Sequence, residues 1–344
     1  MKGFAFRGLS AAVLAAVTGS MIVGAQAPAA NGAAQVHIQA ARNTAGNDHM
    51  NLFNVTCGAL TPPQRSSTPA APRQPGPPPR ESWHVEPAKV FDNLYFLGQS
   101  EYSSWAVTTS QGIIVIDTIF DYSVEDEVVG GMKKLGLDPA QIKYAIVSHG
   151  HGDHSGGAKY LQDTYGTHVI LSAADWDLLE RTQNSPNAQP VPKRDVVATD
   201  GMKLTLGDET LTLYVTPGHT LGTISTLIPV KDRGQPHLVA YWGGTGFNWV
   251  AGPQNYITAE RPPKFWFETY AKSAERFRDI AARAGADVIA ANHTNFDGTK
   301  TNIPALAKRT GNESNPYVVG KEAVLRYMTV VDECAQAGVA MQAR

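Results

Sequence analysis

From about residue 83 onward the chain alternates short apolar runs with stretches of helical period, the pattern of an α/β layered domain. Residues 94–97, 104–108 and 113–116 are apolar segments bounded by Gly98 and Gly112, as hairpin strands should be. Val124, Val128, Met132 and Leu135 then recur at helical spacing, and Gly136 closes that helix. A short buried strand follows over 144–147, with further strands predicted over 169–171, 211–215, 223–228, 238–242 and 288–291. Helices are predicted over 174–180, 265–284 and 321–335. The aromatic run Phe265, Trp266 and Phe267 reads as packing of a helix on a sheet in preference to a substrate box. The segment 99–103, with Trp105 beyond it, is either a mobile rim or a solvated hairpin turn with Trp105 in the core; the turn is preferred.

The first 82 residues follow different rules. Residues 1–27 have the form of a secretory signal, with Lys2 and Arg7 ahead of an apolar stretch and small residues at 23–25 or 25–27 for cleavage. The apolar stretch is shorter than the roughly 20 residues a membrane span needs, so an uncleaved anchor is the lesser alternative. The expected location is periplasmic or secreted, with no stable membrane span after cleavage. Residues 28–82 read as an N-terminal extension with a Pro-rich linker, because 61–80 hold eight of the chain's 22 prolines and almost no large apolar residue. A passive spacer is preferred to a partner-binding arm. The domain proper is expected over 83–344.

Export changes the reading of Cys57 and Cys334, the two cysteines of the chain: an even pair in an oxidising compartment is a candidate disulfide. Two unrelated thiols, or a bridge between chains, are the alternatives, and no heptad run indicates an oligomeric state. The 344 residues are 42% hydrophobic and 17% charged, with a net charge of −2, enough apolar material for a sizeable core. No clustered excess of Lys and Arg exists to grip a phosphate backbone, which excludes nucleic acid as the expected partner.

The chemistry concentrates after the strand at 144–147, where His149-x-His151-x-Asp153-His154 places four potential metal ligands within six residues. Neutral imidazoles and a carboxylate suit borderline-soft divalent ions such as zinc, and the intervening Gly150 and Gly152 let the backbone turn so that the side chains converge. At this composition the pattern arises by chance in roughly one chain in two thousand. His37, His49, His84, His168 and His237 stand alone and read as surface or hydrogen-bonded imidazoles. Clustered imidazoles repel when protonated and gain nothing from a core, so a metal is the economical account of the motif. His219 and His293 follow the strands at 211–215 and 288–291, and loops at strand ends are where further ligands would be delivered.

This ordered set, His149, His151, Asp153, His154, then His219, then His293, with the apolar run 113–116 ahead of Asp117, resembles the metallo-β-lactamase superfamily of binuclear zinc hydrolases. The resemblance covers about residues 83–294. It implies an αββα four-layer sandwich, two sheets packed face to face with helices outside and two Zn2+ ions at one edge. Carried over, it assigns His149, His151 and His219 to one ion and Asp153, His154 and His293 to the other, with Asp153 also acting in catalysis by orienting the nucleophile. Asp117 would orient a metal-bound imidazole; taken alone, it reads equally as a turn residue.

Superfamily members that act on lactones and thioesters place an Asp that bridges both metals between the third and last His. Here the strand at 238–242 runs into Gly243, Gly244, Thr245 and Gly246 with no carboxylate, and Asp232 in an earlier turn is a poor substitute. In this respect, and over residues 83–98, the chain is most similar to class B β-lactamases of the third subclass, and Thr245 stands where another subclass has a Cys ligand. The implied activity is opening of the β-lactam ring of penicillins, cephalosporins or carbapenems by a metal-bound hydroxide, with Thr245 and Asn248 as candidate substrate contacts. An exported binuclear-zinc hydrolase of a lactone, ester or thioester is the alternative, and a non-catalytic zinc protein on the same fold is the third reading.

Overall fold

The computed structural model describes residues 32–60, 76–185 and 188–343. The signal reading over 1–27 and most of the Pro-rich run, 61–75, lie outside the described residues. Seven strands form the first sheet in chain order: β1 (Ala88–Lys89), β2 (Leu94–Phe96), β3 (Trp105–Thr109), β4 (Gly112–Ile116), β5 (Ile142–Ile146), β6 (His168–Ser172) and β7 (Val196–Ala198). The pairs from β1 to β4 are antiparallel and those from β4 to β7 parallel. The second sheet comprises β8 (Met202–Leu206), β9 (Glu209–Val215), β10 (Ile224–Asp232), β11 (Gln235–Trp242) and β12 (Val288–Ala291), in the order β12-β11-β10-β9-β8. It is antiparallel except where β11 meets β12.

Helices cover both outer faces. The chain passes through α1 (Gly32–Ala45), α2 (Met50–Ala59), α3 (Asp121–Val124), α4 (Gly130–Lys134), α5 (Gly152–Ser155), α6 (Ala158–Tyr165) and α7 (Ala173–Thr182). It continues through α8 (Asn248–Ala251), α9 (Pro263–Ala284), α10 (Thr299–Ala307) and α11 (Lys321–Met341).

The four layers follow from strand alternation, since successive side chains point to opposite faces of a sheet. On β4, Ile114 and Ile116 join Val239 and Tyr241 of β11 in the core between the sheets. The alternate residues Ile113 and Val115 face outward onto Val124, Val128 and Met132 of the α3–α4 region. Ala240 and Trp242 face the other way, onto Phe277 of α9 and Val331 of α11. Each such fully buried aliphatic or aromatic side chain stabilises the fold by about 1.5–3 kcal/mol. The expected αββα sandwich is the observed architecture.

The part of the 28–82 extension that is described is built into the domain. Ala34, Ala41 and Ala45 are fully buried and let α1 approach α11 closely, and Cys57 of α2 forms a disulfide with Cys334 of α11, their Cα atoms 4.8 Å apart. Helix α11 runs past the expected end at 335 because Ala337 and Gly338 continue its buried face, Gly338 against the Phe267 ring. Trp266 and Phe267 are buried in the helical layer, as read from the sequence, and Trp105 is buried between the Phe96 and Tyr317 rings.

Candidate metal centre

Strands β4, β5, β9, β11 and β12 deliver their C-terminal ends to one edge of the sandwich, where loops can converge. After β5 the chain turns through His149 and His151 into α5, which carries Asp153 and His154. His219 follows β9, and His293 follows β12. All six ligands proposed from sequence meet there. Donor atoms of His149, His151 and His219 lie within 4.8 Å of one another, as do those of His149, Asp153 and His154. His154 Nε2 is 3.2 Å from His293 Nε2 and 3.2 Å from Asp153 Oδ2, which is 3.5 Å from His293 Nε2.

Hydrogen bonds fix which nitrogen of each ring faces the centre. His149 Nδ1–H donates to the Gly243 carbonyl at 2.8 Å and His219 Nδ1–H to the Gly246 carbonyl at 3.0 Å, so both rings present Nε2. His149 Nε2 is buried with no hydrogen-bond partner among the described residues, an arrangement that costs free energy unless a further group accepts its lone pair. His151 is turned the other way: its Nε2 is 2.7 Å from the Tyr256 hydroxyl, leaving Nδ1 for the centre.

Burial, reinforced by neighbouring imidazoles, holds His149 and His219 well below the usual histidine range, and burial brings His151 down to about 4 and His293 to about 3. Neutral imidazoles with available lone pairs are what a divalent ion requires. Burial opposes charge on His154, but Asp153 and Asp117 beside it raise it to about 10. Burial likewise opposes charge on Asp153, yet the His154, His293 and His151 rings keep its carboxyl far below the usual carboxylate range.

The surroundings hold these groups in place. Asp117, fully buried at the end of β4 with φ of 59°, accepts from Ser148 N at 2.6 Å, Ser148 Oγ at 2.9 Å and Tyr241 OH at 2.6 Å. Its Oδ2 lies 3.2 Å from His154 Nδ1, so it orients that ring and leaves Nε2 facing Asp153. Gly243 and Gly244 allow the backbone approach: a Cβ on Gly243 would sit 1.7 Å from the Ile224 carbonyl oxygen, and one on Gly244 would sit 2.6 Å from His219 Cβ. Asp232 is far from this edge, at the opposite end of β10, paired with Arg309 through two contacts of 2.6 Å.

Of the two proposed substrate contacts, Asn248 is at the centre, its Nδ2 3.1 Å from His219 Nε2 and 3.4 Å from His151 Nδ1. Thr245 is buried beside Tyr327 of α11. The segment 99–103 is a turn with Glu101 exposed at its tip and is also clasped to the His293 loop: Tyr102 forms an isolated β-bridge with His293 and packs its ring 5.0 Å from that imidazole.

Sequence reasoning missed Asp175. Buried near the start of α7, it accepts from Gly150 N at 2.8 Å and Thr220 Oγ1 at 2.7 Å through Oδ2, and from Gly222 N at 3.0 Å through Oδ1. It therefore ties the His149–His151 turn to the His219 loop. Burial raises its carboxyl to about 6. Tyr256 and Asn292 were missed as well; Asn292 Nδ2 donates to the Gly243 carbonyl at 2.8 Å, sharing that acceptor with His149.

Residues 97–232 match the family described as the Metallo-beta-lactamase superfamily. N-acyl homoserine lactonase AttM of Azorhizobium caulinodans is 28% identical over 190 residues, covering 51% of this chain and 67% of that protein. A hydroxyacylglutathione hydrolase of Acidiphilium cryptum is 29% identical over 87 residues, 25% of this chain and 31% of that protein. The chain thus spans from about a third to two thirds of these curated relatives. Among solved structures, BJP-1, a subclass B3 metallo-beta-lactamase of Bradyrhizobium japonicum, superposes with a TM-score of 0.60 at 27% identity, over 72% of this chain and 91% of that one.

Proposed function

We propose that this protein, a hydrolase whose residues 97–232 belong to the metallo-beta-lactamase superfamily, is an exported zinc enzyme that opens the β-lactam ring of penicillins, cephalosporins or carbapenems. The observation that carries the reading is the donor set: two triads converge at one edge, and the end of β11 offers no carboxylate between them. Gly243 occupies that end, its carbonyl is engaged by His149 and Asn292, and its Cα has no room for a side chain. The likeness to BJP-1 supports the same reading. Export is supported by the Cys57–Cys334 disulfide, a bond that persists in oxidising compartments.

A fit to zinc is supported by the Nε2 of His149, unpartnered among the described residues, and by the burial that keeps His151, His219 and His293 neutral. His149, His151 and His219 would hold one ion, and Asp153, His154 and His293 the other. Bound zinc supplies a Lewis acid and lowers the pKa of water from 15.7 to about 7. Asp153, kept ionised by three imidazoles, does not store a proton at neutral pH; it accepts a hydrogen bond from the attacking water and orients it towards the carbonyl carbon. Asn248 Nδ2, beside His219 and His151, is the neutral donor placed to stabilise charge growing on the carbonyl oxygen. Tyr256 fixes the His151 ring through Nε2, and Asp117 fixes His154.

The test is zinc-dependent loss of carbapenem ring absorbance. Turnover with kcat/KM of about 10⁴ M⁻¹s⁻¹ or more, abolished by a chelator and restored by zinc, is expected. A lactone, ester or thioester hydrolase is the second reading, favoured by the activities named for the curated relatives. Turnover of such substrates with none of any β-lactam would establish it and overturn the first.

A further inference from the structure

Helix α9 backs the turn that follows β11 through one side chain, Tyr270. Its ring is fully buried, 5.7 Å from that of Trp242 and 5.2 Å from that of Phe247. The hydroxyl donates to the Gly244 carbonyl at 2.9 Å and accepts from Gly246 N and from Trp242 Nε1, each at 3.3 Å. A phenol offers one donor and two lone pairs, so this hydroxyl is saturated by three groups of a single short segment. Burial pushes the hydroxyl up, and it keeps the proton that it donates.

The turn needs such a brace. Gly243, Gly244 and Gly246 leave its backbone with wide conformational freedom, and Gly246 sits at a φ of 104°. Yet the turn has to aim a carbonyl: Gly246, held at its N–H by Tyr270, accepts from His219 Nδ1 at 3.0 Å. The same helix supports the loop that carries His219. A Cβ on Gly218 would sit 2.7 Å from Tyr270 Cβ, and Ser273, one turn along α9, donates to the Pro217 carbonyl at 2.7 Å. The ring of His219 and the carbonyl that receives its N–H are therefore both set against one residue. The second triad is held by other groups, with Asp117 beside His154 and Tyr102 packed on His293.

We propose that Tyr270 is a positioning residue of the metal centre: its hydroxyl locks the turn 243–246, so that the Gly246 carbonyl holds His219 with Nε2 aimed at the ion of the three-histidine site. The proposal rests on His149, His151 and His219 holding a metal, and not on which bond the enzyme cleaves.

Tyr270→Phe deletes the hydroxyl and keeps the ring in its aromatic surroundings. Background substitutions in the full chain separate the two sites: Asp153→Ala leaves the three-histidine site, and His219→Ala leaves that of Asp153, His154 and His293. Zinc is titrated against a chromophoric chelator in each. In the Asp153→Ala background, Tyr270→Phe weakens zinc binding about tenfold. In the His219→Ala background it changes binding by less than about twofold, because the ring through which the hydroxyl acts is gone. A merely structural role would weaken both sites alike, so equal losses in the two backgrounds overturn the proposal, as does an unchanged affinity in Asp153→Ala. A second measurement needs no metal. In the zinc-free chain with ¹⁵N-labelled histidine and tryptophan, the His219 Nδ1 proton exchanges with water about fivefold faster in Tyr270→Phe, while the Trp176 Nε1 proton, bonded to the Val196 carbonyl, keeps its rate. Equal acceleration of both, or of neither, also overturns the brace. Failure of the wild type to bind zinc sinks the metal-centre reading and this proposal with it; zinc binding that Tyr270→Phe leaves unchanged sinks the proposal alone.

Discussion

Replacing Asp175 with Ala tests whether one buried carboxylate holds the two ligand loops in register. The variant strands the N–H groups of Gly150 and Gly222, while the Thr220 hydroxyl retains a second partner in Thr223 Oγ1 at 2.9 Å. Two buried donors left without acceptors cost about 1–3 kcal/mol each. Against this, the variant removes a desolvated carboxylate whose pKa is raised from 3.8 to about 6, a native-state penalty of about 3 kcal/mol at neutral pH. The two effects oppose each other, and the expected net change at pH 7 lies between a gain of about 1 and a loss of about 3 kcal/mol.

The larger effect falls on the metal. With the Gly150 turn and the Gly222 loop released, zinc affinity should drop by about 10–100-fold, the usual consequence of losing a group that positions ligands. The assay pairs denaturant unfolding of the zinc-free protein with competitive zinc titration against a chromophoric chelator. Stability within 0.5 kcal/mol of wild type together with unchanged zinc affinity would refute the clamp. A drop in stability alone, with zinc affinity intact, would confine Asp175 to a structural role.

Asp153→Ala and His293→Ala should each reduce bound zinc from two equivalents to about one and lower hydrolysis at limiting zinc, with His237→Ala, whose ring pairs with Asp287, showing neither effect; equal losses across all three would sink the ligand assignment. Changing Cys57 and Cys334 together to Ser should lower stability by about 2–5 kcal/mol, read as a shift in denaturant midpoint that matches the shift caused by reducing agent in the wild type. Asp332 on α11 is raised to about 6 by burial, with Arg278 3.6 Å away. A raised carboxyl favours the folded state while protonated, so its contribution is fully present below pH 3.8 and is lost as the pH rises through about 6. Asp332→Asn should therefore flatten the fall in stability between pH 4 and 6.5, and an unchanged pH profile would count against the assigned shift.

The six residues that meet at the sheet edge were legible because metal-binding chemistry calls for these residue types at close spacing, and Gly152 of the His149 turn sits where a side chain would collide with Gln189. The sheets were legible for the related reason that Ile113 to Ile116 and the residues around Tyr241 must satisfy a buried face on each side. Asp175 was not legible: it occupies the first turn of a helix, where acids are common for their effect on the helix dipole, and its partners lie 25 to 47 residues away in sequence. The helices of 32–59 escaped because α1 is joined to α11 by alanines, whose small side chains give close approach without a strong apolar period. Thr245 shows the converse: its position after β11 points to the metal edge, but the turn lodges its side chain beside Tyr327.

The bond between α2 and α11 makes the stretch from Cys57 to Cys334 a covalent ring. A protease that cuts this ring once, at any position, yields no separate fragment, because both pieces remain joined through sulfur. Under limited proteolysis, a single nick would be invisible by size until a reductant is added. Both sheets and all six residues of the candidate metal centre lie inside the ring, so one cut leaves them on a single molecule.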